Sequence, residues 1–168
     1  MSRVLVAYAS KHGSTAEIAA AVGRAIQANG VDVDVLPVTG VTAVEPYDAV
    51  VVGSATYIMR WRGEAVDFLQ RFRRGLASRP VLIFSSGPLD VPTDRDHVPA
   101  SVAEFAKAID AREIKIFAGR FDKDAPGLAE RMMALANVSG DFRDWAEIAQ
   151  WGETIATEVK DLAMVGTA

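Results

Sequence analysis

The chain of 168 residues contains no cysteine, which excludes a disulfide scaffold, a thiolate zinc site and thiol redox chemistry. Its only histidines are His12 and His97. A metal site would have to rest largely on carboxylates, and no spacing of Asp and Glu suggests one, so no metal is expected. Excess positive charge is missing as well: the net charge of −4 argues against general nucleic-acid binding. No apolar run approaches the roughly 20 residues of a membrane span. The N-terminus shows no basic segment followed by a signal core, so a cytoplasmic location is expected. The phosphate-loop spacing GxxxxGK[ST] and the dinucleotide fingerprint GxGxxG are both absent, which disfavours a nucleoside triphosphate or a Rossmann dinucleotide. No Ser-His-Asp arrangement can be read from the spacing. Repeats, low-complexity tracts and linkers are lacking too, so one domain is expected over residues 1–168.

What is present is a regular alternation. Half of the residues are apolar, enough for a sizeable core. Arg3 to Ala9 reads as a buried strand. A helix follows over Ala16 to Asn29, with Ser14 and Glu17 spaced as a capping box and Asn29-Gly30 as its stop. Residues 31–36 alternate apolar and acidic, as an edge strand does. Residues 47–53 form a nearly continuous apolar run suited to the sheet centre. Ala65, Phe68, Leu69, Phe72 and Leu76 mark a helix, residues 80–88 a strand and turn, and residues 101–111 a helix. Residues 113–121 read as the fifth strand, Leu128 to Ala136 as a short helix. Asp144 and Glu147 cap a long helix with the stripe Ile148, Trp151, Ile155, Val159 and Leu162. Strands alternating with helices imply a three-layer α/β sandwich on a five-stranded parallel sheet, and right-handed crossovers suit the order 2-1-3-4-5.

In such a sheet ligands bind beyond the carboxyl ends of the strands, at the switch point between strands 1 and 3. That rule selects three turns. The first, Ser10-Lys11-His12-Gly13-Ser14-Thr15, joins a strand to a helix start, where free amides, the helix dipole, three hydroxyls and a close-approach glycine suit a single terminal phosphate. Ser14 alone would serve equally well as a simple cap, and His12 is either a phosphate donor or a solvated loop histidine. The second, Ser54-Ala55-Thr56-Tyr57-Ile58 running on to Trp61, reads as a loop whose aromatics offer flat walls for a planar ring. Trp61 has the alternative of opening the next helix and packing inward. The third, Ser85-Ser86-Gly87-Pro88, is small and amide-rich, suited either to a heteroaromatic edge or to an ordinary strand-to-loop turn. Arginines 60, 62, 71, 73, 74 and 79 crowd one region; they read as a solvated helix face or as a lure for an acidic partner or carboxylate-bearing substrate.

With these residues the chain resembles the flavodoxin-like family. The family's phosphate loop, [TS]-x-T-G-x-T, corresponds to Ser10–Thr15, with His12 standing where Thr is usual. Within the family it is most similar to the branch that includes menaquinone-dependent protoporphyrinogen dehydrogenase, on Gly53-Ser54-Ala55-Thr56-Tyr57, Phe84-Ser85-Ser86-Gly87-Pro88, the stretch from Phe117 to Asp122, and Gly140-Asp141-Phe142-Arg143-Asp144-Trp145. The resemblance implies a flavodoxin-like fold and FMN as cofactor, with its phosphate at Ser10–Thr15 and its isoalloxazine between the second and third turns. The flavin would carry the redox chemistry and no catalytic side chain is needed.

Two functions follow as expectations. One is an FMN-dependent oxidoreductase acting on a quinone or porphyrinogen-like substrate, with residues 57–62 and 122–139 around the ring edge; the latter segment would either touch a membrane surface at the inner face or pack on the core. The other is an electron-carrier flavodoxin working with a redox partner protein. A receiver-type signalling module is set aside, because Ser10, Ser54 and Gly119–Asp122 stand where its acids and lysine would be.

Overall fold

The computed structural model describes residues 2–57, 60–87, 99–121 and 140–165. β1 (Arg3–Ala9) leads into α1 (Ser14–Ala28), β2 (Asp32–Pro37) and a single 3-10 turn, Val38–Gly40. β3 (Ala49–Tyr57) is followed by a two-residue strand, β4 (Arg60–Trp61), then by α2 (Gly63–Arg71), α3 (Arg73–Ala77) and β5 (Val81–Gly87). α4 (Ala100–Ala108), β6 (Glu113–Ala118), β7 (Arg120–Phe121), β8 (Gly140–Asp141) and α5 (Trp145–Val165) complete the described elements.

The five long strands pair in parallel in the spatial order β2-β1-β3-β5-β6. Counting long strands alone, this is the expected 2-1-3-4-5. The pleat sorts the apolar residues between two cores. Leu5, Ala7, Val50, Val52, Val81 and Ile83 face one side, under α2, α3 and α4, where they meet Phe68, Leu69, Leu76 and Val102. Val4, Val6, Ala49, Val51, Leu82 and Phe84 face the other, under α1 and α5, against Ile18, Val22, Ile26, Ile148, Trp151 and Ile155. Continuous apolar runs are what a sheet covered on both faces requires.

Two close approaches tighten the second core. Gly53 lies beside Phe84 on the neighbouring strand, and a Cβ at Gly53 would stand 2.0 Å from the Phe84 ring. Phe84 in turn packs with Phe117 and Trp151 at centroid separations of 5.9 Å each, and those two meet at 5.5 Å. At Gly152, α5 meets α1: a Cβ there would lie 2.8 Å from the Val22 carbonyl oxygen. The Trp151 Nε1 donates to Glu113 Oε2 at 2.7 Å, which holds α5 to the edge strand β6.

Several boundaries differ from the sequence expectation. β3 runs four residues past Gly53, so Ser54–Tyr57 is strand, and residues 60–61 fold back on it antiparallel. β5 likewise continues through Ser85 and Ser86 to Gly87. The reason is mutual: Ser54 and Ala55 of β3 pair with Ser85 and Ser86 of β5, so the ladder satisfies backbone groups that isolated turns would leave to water. The helix expected through Leu76 breaks at Phe72 into α2 and α3. The fifth strand ends at Ala118, and Arg120–Phe121 pairs instead with Gly140–Asp141 in a separate two-stranded ribbon. The Leu128–Ala136 helix lies outside the described residues. The long C-terminal helix starts as expected, the Asp144 carboxylate accepting from the amides of Ala146 and Glu147 at 3.0 Å each.

Candidate functional site

The first turn begins where β1 leaves the sheet. Gly13 sits at φ +86°, a left-handed conformation that side chains disfavour, and it directs the chain into α1. No side chain caps this helix start, so its leading amides have no intrahelical acceptor and carry the positive end of the helix dipole. The expected capping box does not form. Ser14 Oγ accepts from the Arg120 amide at 3.2 Å, and the Glu17 carboxylate is drawn away to Arg143 and Arg120. Ser10 Oγ accepts from the Gly13 amide at 3.1 Å, which rounds the turn. Both serines keep their hydroxyl hydrogens for another acceptor.

The three stretches converge. Thr15, buried at the helix start, donates from Oγ1 to Ser86 Oγ at 3.3 Å, so the first turn is fastened to the end of β5. Ser10, His12, Ser14 and Thr15 of the first turn, Ala55 and Thr56 of β3, and Ser86 and Gly87 of β5 line one narrow cleft, together with Gly119, Arg120 and Phe121. Lys11 is exposed at the tip of the turn. The Thr56 Oγ1 is buried and has no hydrogen-bond partner among the described residues. A buried hydroxyl without a partner costs free energy unless something accepts from it or donates to it. A larger groove, between α2 and α4, is lined by Val66, Leu69, Arg73, Val102 and Phe105 and contains none of the residues of the three stretches. The chemistry of the smaller cleft decides between them, because the hydroxyls and helix-start amides of the first turn, together with Thr56, line it and not the larger groove.

Not every candidate opens onto the cleft. Ser54 is fully buried; its Oγ donates to the Ala55 carbonyl at 3.0 Å and accepts from the Arg62 amide at 3.2 Å, closing the β3–β4 hairpin. Trp61 takes the inward placement: it is 6 % exposed, and its Nε1 donates to the buried Ser85 Oγ at 2.7 Å. Tyr57 ends β3, and Ile58 and Pro88 lie outside the described residues, as does His97.

The arginine group is partly structural. Arg71 donates to the Val41 carbonyl at 2.8 Å, and Arg79 to the carbonyls of Val44 and Tyr47, so both pin the connection between β2 and β3. Arg62 pairs with Glu64 at 2.5 Å. Arg60, Arg73 and Arg74 are exposed.

Sequence reading missed Gly119–Phe121 as cleft lining and Arg143 as its support. Their signal was present as two stretches of resemblance, 117–122 and 140–145, with no chemistry attached. Arg143 is buried, and its guanidinium donates to both oxygens of Asp141 at 2.8 and 2.6 Å and to Glu17 Oε2 at 2.5 Å. The Asp141 carboxyl is thereby held at about 2, the Arg143 hydrogen bond outweighing partial desolvation.

Among the described residues no cluster of three or more His, Asp or Glu could hold a metal ion, and no helix is long and apolar enough to cross a membrane. A flavin mononucleotide fits the donor set: a phosphate needs amides and hydroxyls such as those at Ser10–Thr15, and the partnerless Thr56 Oγ1 and the small Ser86-Gly87 end of β5 offer a polar edge beside it.

Comparison with known proteins agrees with this. A family model described as a flavodoxin domain matches residues 5–140. A flavodoxin from the domain Archaea is 20 % identical, with a TM-score of 0.61 over 94 % of this chain and 99 % of its own. A flavodoxin from Streptococcus pneumoniae TIGR4 is 22 % identical, with a TM-score of 0.61 over 95 % and 99 %. Rubredoxin oxygen:oxidoreductase from Desulfovibrio gigas is 17 % identical, with a TM-score of 0.62, and this chain spans 36 % of it. The chain belongs to the flavodoxin domain family, and FMN is its cofactor.

Proposed function

We propose that this flavodoxin-domain protein is an FMN-dependent oxidoreductase for a quinone or a large, porphyrinogen-like substrate, with the FMN phosphate on Ser10–Thr15 and the isoalloxazine between the ends of β3 and β5. Bound FMN supplies the redox chemistry. The chain's own residues bind and orient it. The first-turn amides and the hydroxyls of Ser10 and Ser14 would hold the phosphate by hydrogen bonds. Thr15, bonded to Ser86, would hold the phosphate-binding turn against the end of β5. Thr56 would supply a hydroxyl that has no partner among the described residues.

One observation favours an enzyme over a carrier. Arg60, exposed on the hairpin and paired with Tyr57, would put positive charge at the edge of a ring bound there. A carrier docks through an acidic rim, whereas a cation here suits a carboxylate-bearing substrate. The resemblance of residues 117–122 and 140–145 to the protoporphyrinogen dehydrogenase branch points the same way. The test is electron transfer from protoporphyrinogen to quinones by purified, FMN-loaded protein. No transfer to any quinone would remove that substrate class.

The second reading, a protein–protein redox shuttle, is favoured by the end-to-end match to free-standing flavodoxins. Measured one-electron potentials separate the two. A very low second potential, with turnover only when a partner protein is added, selects the shuttle. Peripheral contact with the inner face of a membrane belongs to the enzyme reading, and co-sedimentation with anionic vesicles checks it.

A further inference from the structure

We propose that Arg143 is a positioning residue for the phosphate-binding turn, acting through Ser14 and Glu17 rather than on the ligand itself. The proposal rests on the phosphate placement above.

The guanidinium cannot serve the phosphate directly. Its side chain is 3 % exposed, and its donors are already committed. Nε and one terminal nitrogen hold Asp141 in a bidentate pair, and the other terminal nitrogen spans Glu17 Oε2 at 2.5 Å and the Ser14 carbonyl at 3.4 Å. Its flat face lies over the Trp145 ring, 4.4 Å from the centroid.

What it joins is informative. Ser14 and Glu17 belong to the first turn of α1, the anion-facing end. Asp141 belongs to the β7–β8 ribbon, whose other strand gives its Arg120 amide to Ser14 Oγ. The Phe142 amide donates to the Gly119 carbonyl at 3.1 Å, so the chain on both sides of Arg143 is tied down. Arg143 therefore fixes the helix start against a second, independent support.

The charge arithmetic matters too. Glu17 is a carboxylate one turn from a bound phosphate dianion, and the like charges repel. Arg143 and Arg120 offset that charge. Without Arg143 the turn would lose its clamp and the phosphate would face Glu17.

The test compares FMN with riboflavin, which lacks the phosphate, by fluorescence titration of the apoprotein. In Arg143→Gln, FMN affinity should fall about tenfold to a hundredfold, as loss of an orienting partner does at other bound groups, while riboflavin affinity stays within about threefold. Arg143→Lys should restore part of the FMN affinity. Asp141→Ala, which removes a half-exposed carboxylate and leaves α1 untouched, should show the same selective loss in smaller measure, and it serves should Arg143→Gln not fold. Equal losses for both flavins, or no loss, overturn the proposal. A wild-type protein that binds riboflavin as tightly as FMN overturns the phosphate placement and the proposal with it. A wild type that discriminates while both variants retain that discrimination overturns the proposal alone.

Discussion

The indole Nε1 of Trp61 donates to the Ser85 hydroxyl at 2.7 Å inside the protein, across 24 residues of sequence. This bond ties the β3–β4 hairpin to the end of β5. It adds a side-chain bond to the β3–β5 ladder that already joins the two strand ends.

Trp61→Phe keeps most of the ring but leaves Ser85 without its donor. The expected cost is about 1 kcal/mol, read by urea unfolding of the apoprotein. Trp61→Ala removes the ring and should cost about 3–5 kcal/mol.

Thr56→Val separates stability from binding. The buried Oγ1 lacks a partner among the described residues, so replacing it with a methyl group of similar shape should leave the apoprotein equally stable or raise it by about 1 kcal/mol. FMN affinity should fall in the same variant. A drop in apoprotein stability would mean that the hydroxyl has a partner within the fold.

Gly152→Ala places a methyl group against the Val22 carbonyl and the Ala25 side chain where α5 crosses α1. Helix backbone cannot move aside cheaply, so a loss of about 1–3 kcal/mol is expected from overpacking. Thermal unfolding measures it.

The Asp141 carboxyl, held at about 2 against an ordinary 3.8 by the Arg143 hydrogen bond, makes part of the stability depend on pH. Its folded value lies below its unfolded value, so the contribution is full above about pH 4 and is lost as pH falls toward 2. The stability difference between wild type and Asp141→Asn should be flat above about pH 5 and shrink below pH 4. Because the carboxylate is 42 % exposed, added salt should reduce that difference.

His12→Thr brings the first turn to the residue usual in the family that the sequence resembles and adds a hydroxyl where we propose that the phosphate binds. FMN affinity should hold or rise. A large loss would assign His12 a direct part in binding.

Periodicity alone determined the alternation of strands and helices, because each element's apolar residues obey a local repeat of 2 or 3.6. The same patterning made Ile18, Val22, Ile148 and Trp151 legible as core, and chain-crossing rules then fixed the strand order. The first turn was legible too, since a strand, a glycine and a run of hydroxyls before a helix are contiguous. What the sequence could not decide was pairing over long separations. Ser54 and Ser85 read as loop residues until the β3–β5 ladder drew them into strand. Trp61 had two placements, and only the position of Ser85 chose the inward one. Glu17 had the spacing of a cap, yet a buried arginine 126 residues away took its carboxylate. A local pattern carries its own energy, but an ion pair or buried hydrogen bond between distant residues exists only once the chain has folded around it, and Arg143 gained its place from tertiary structure alone.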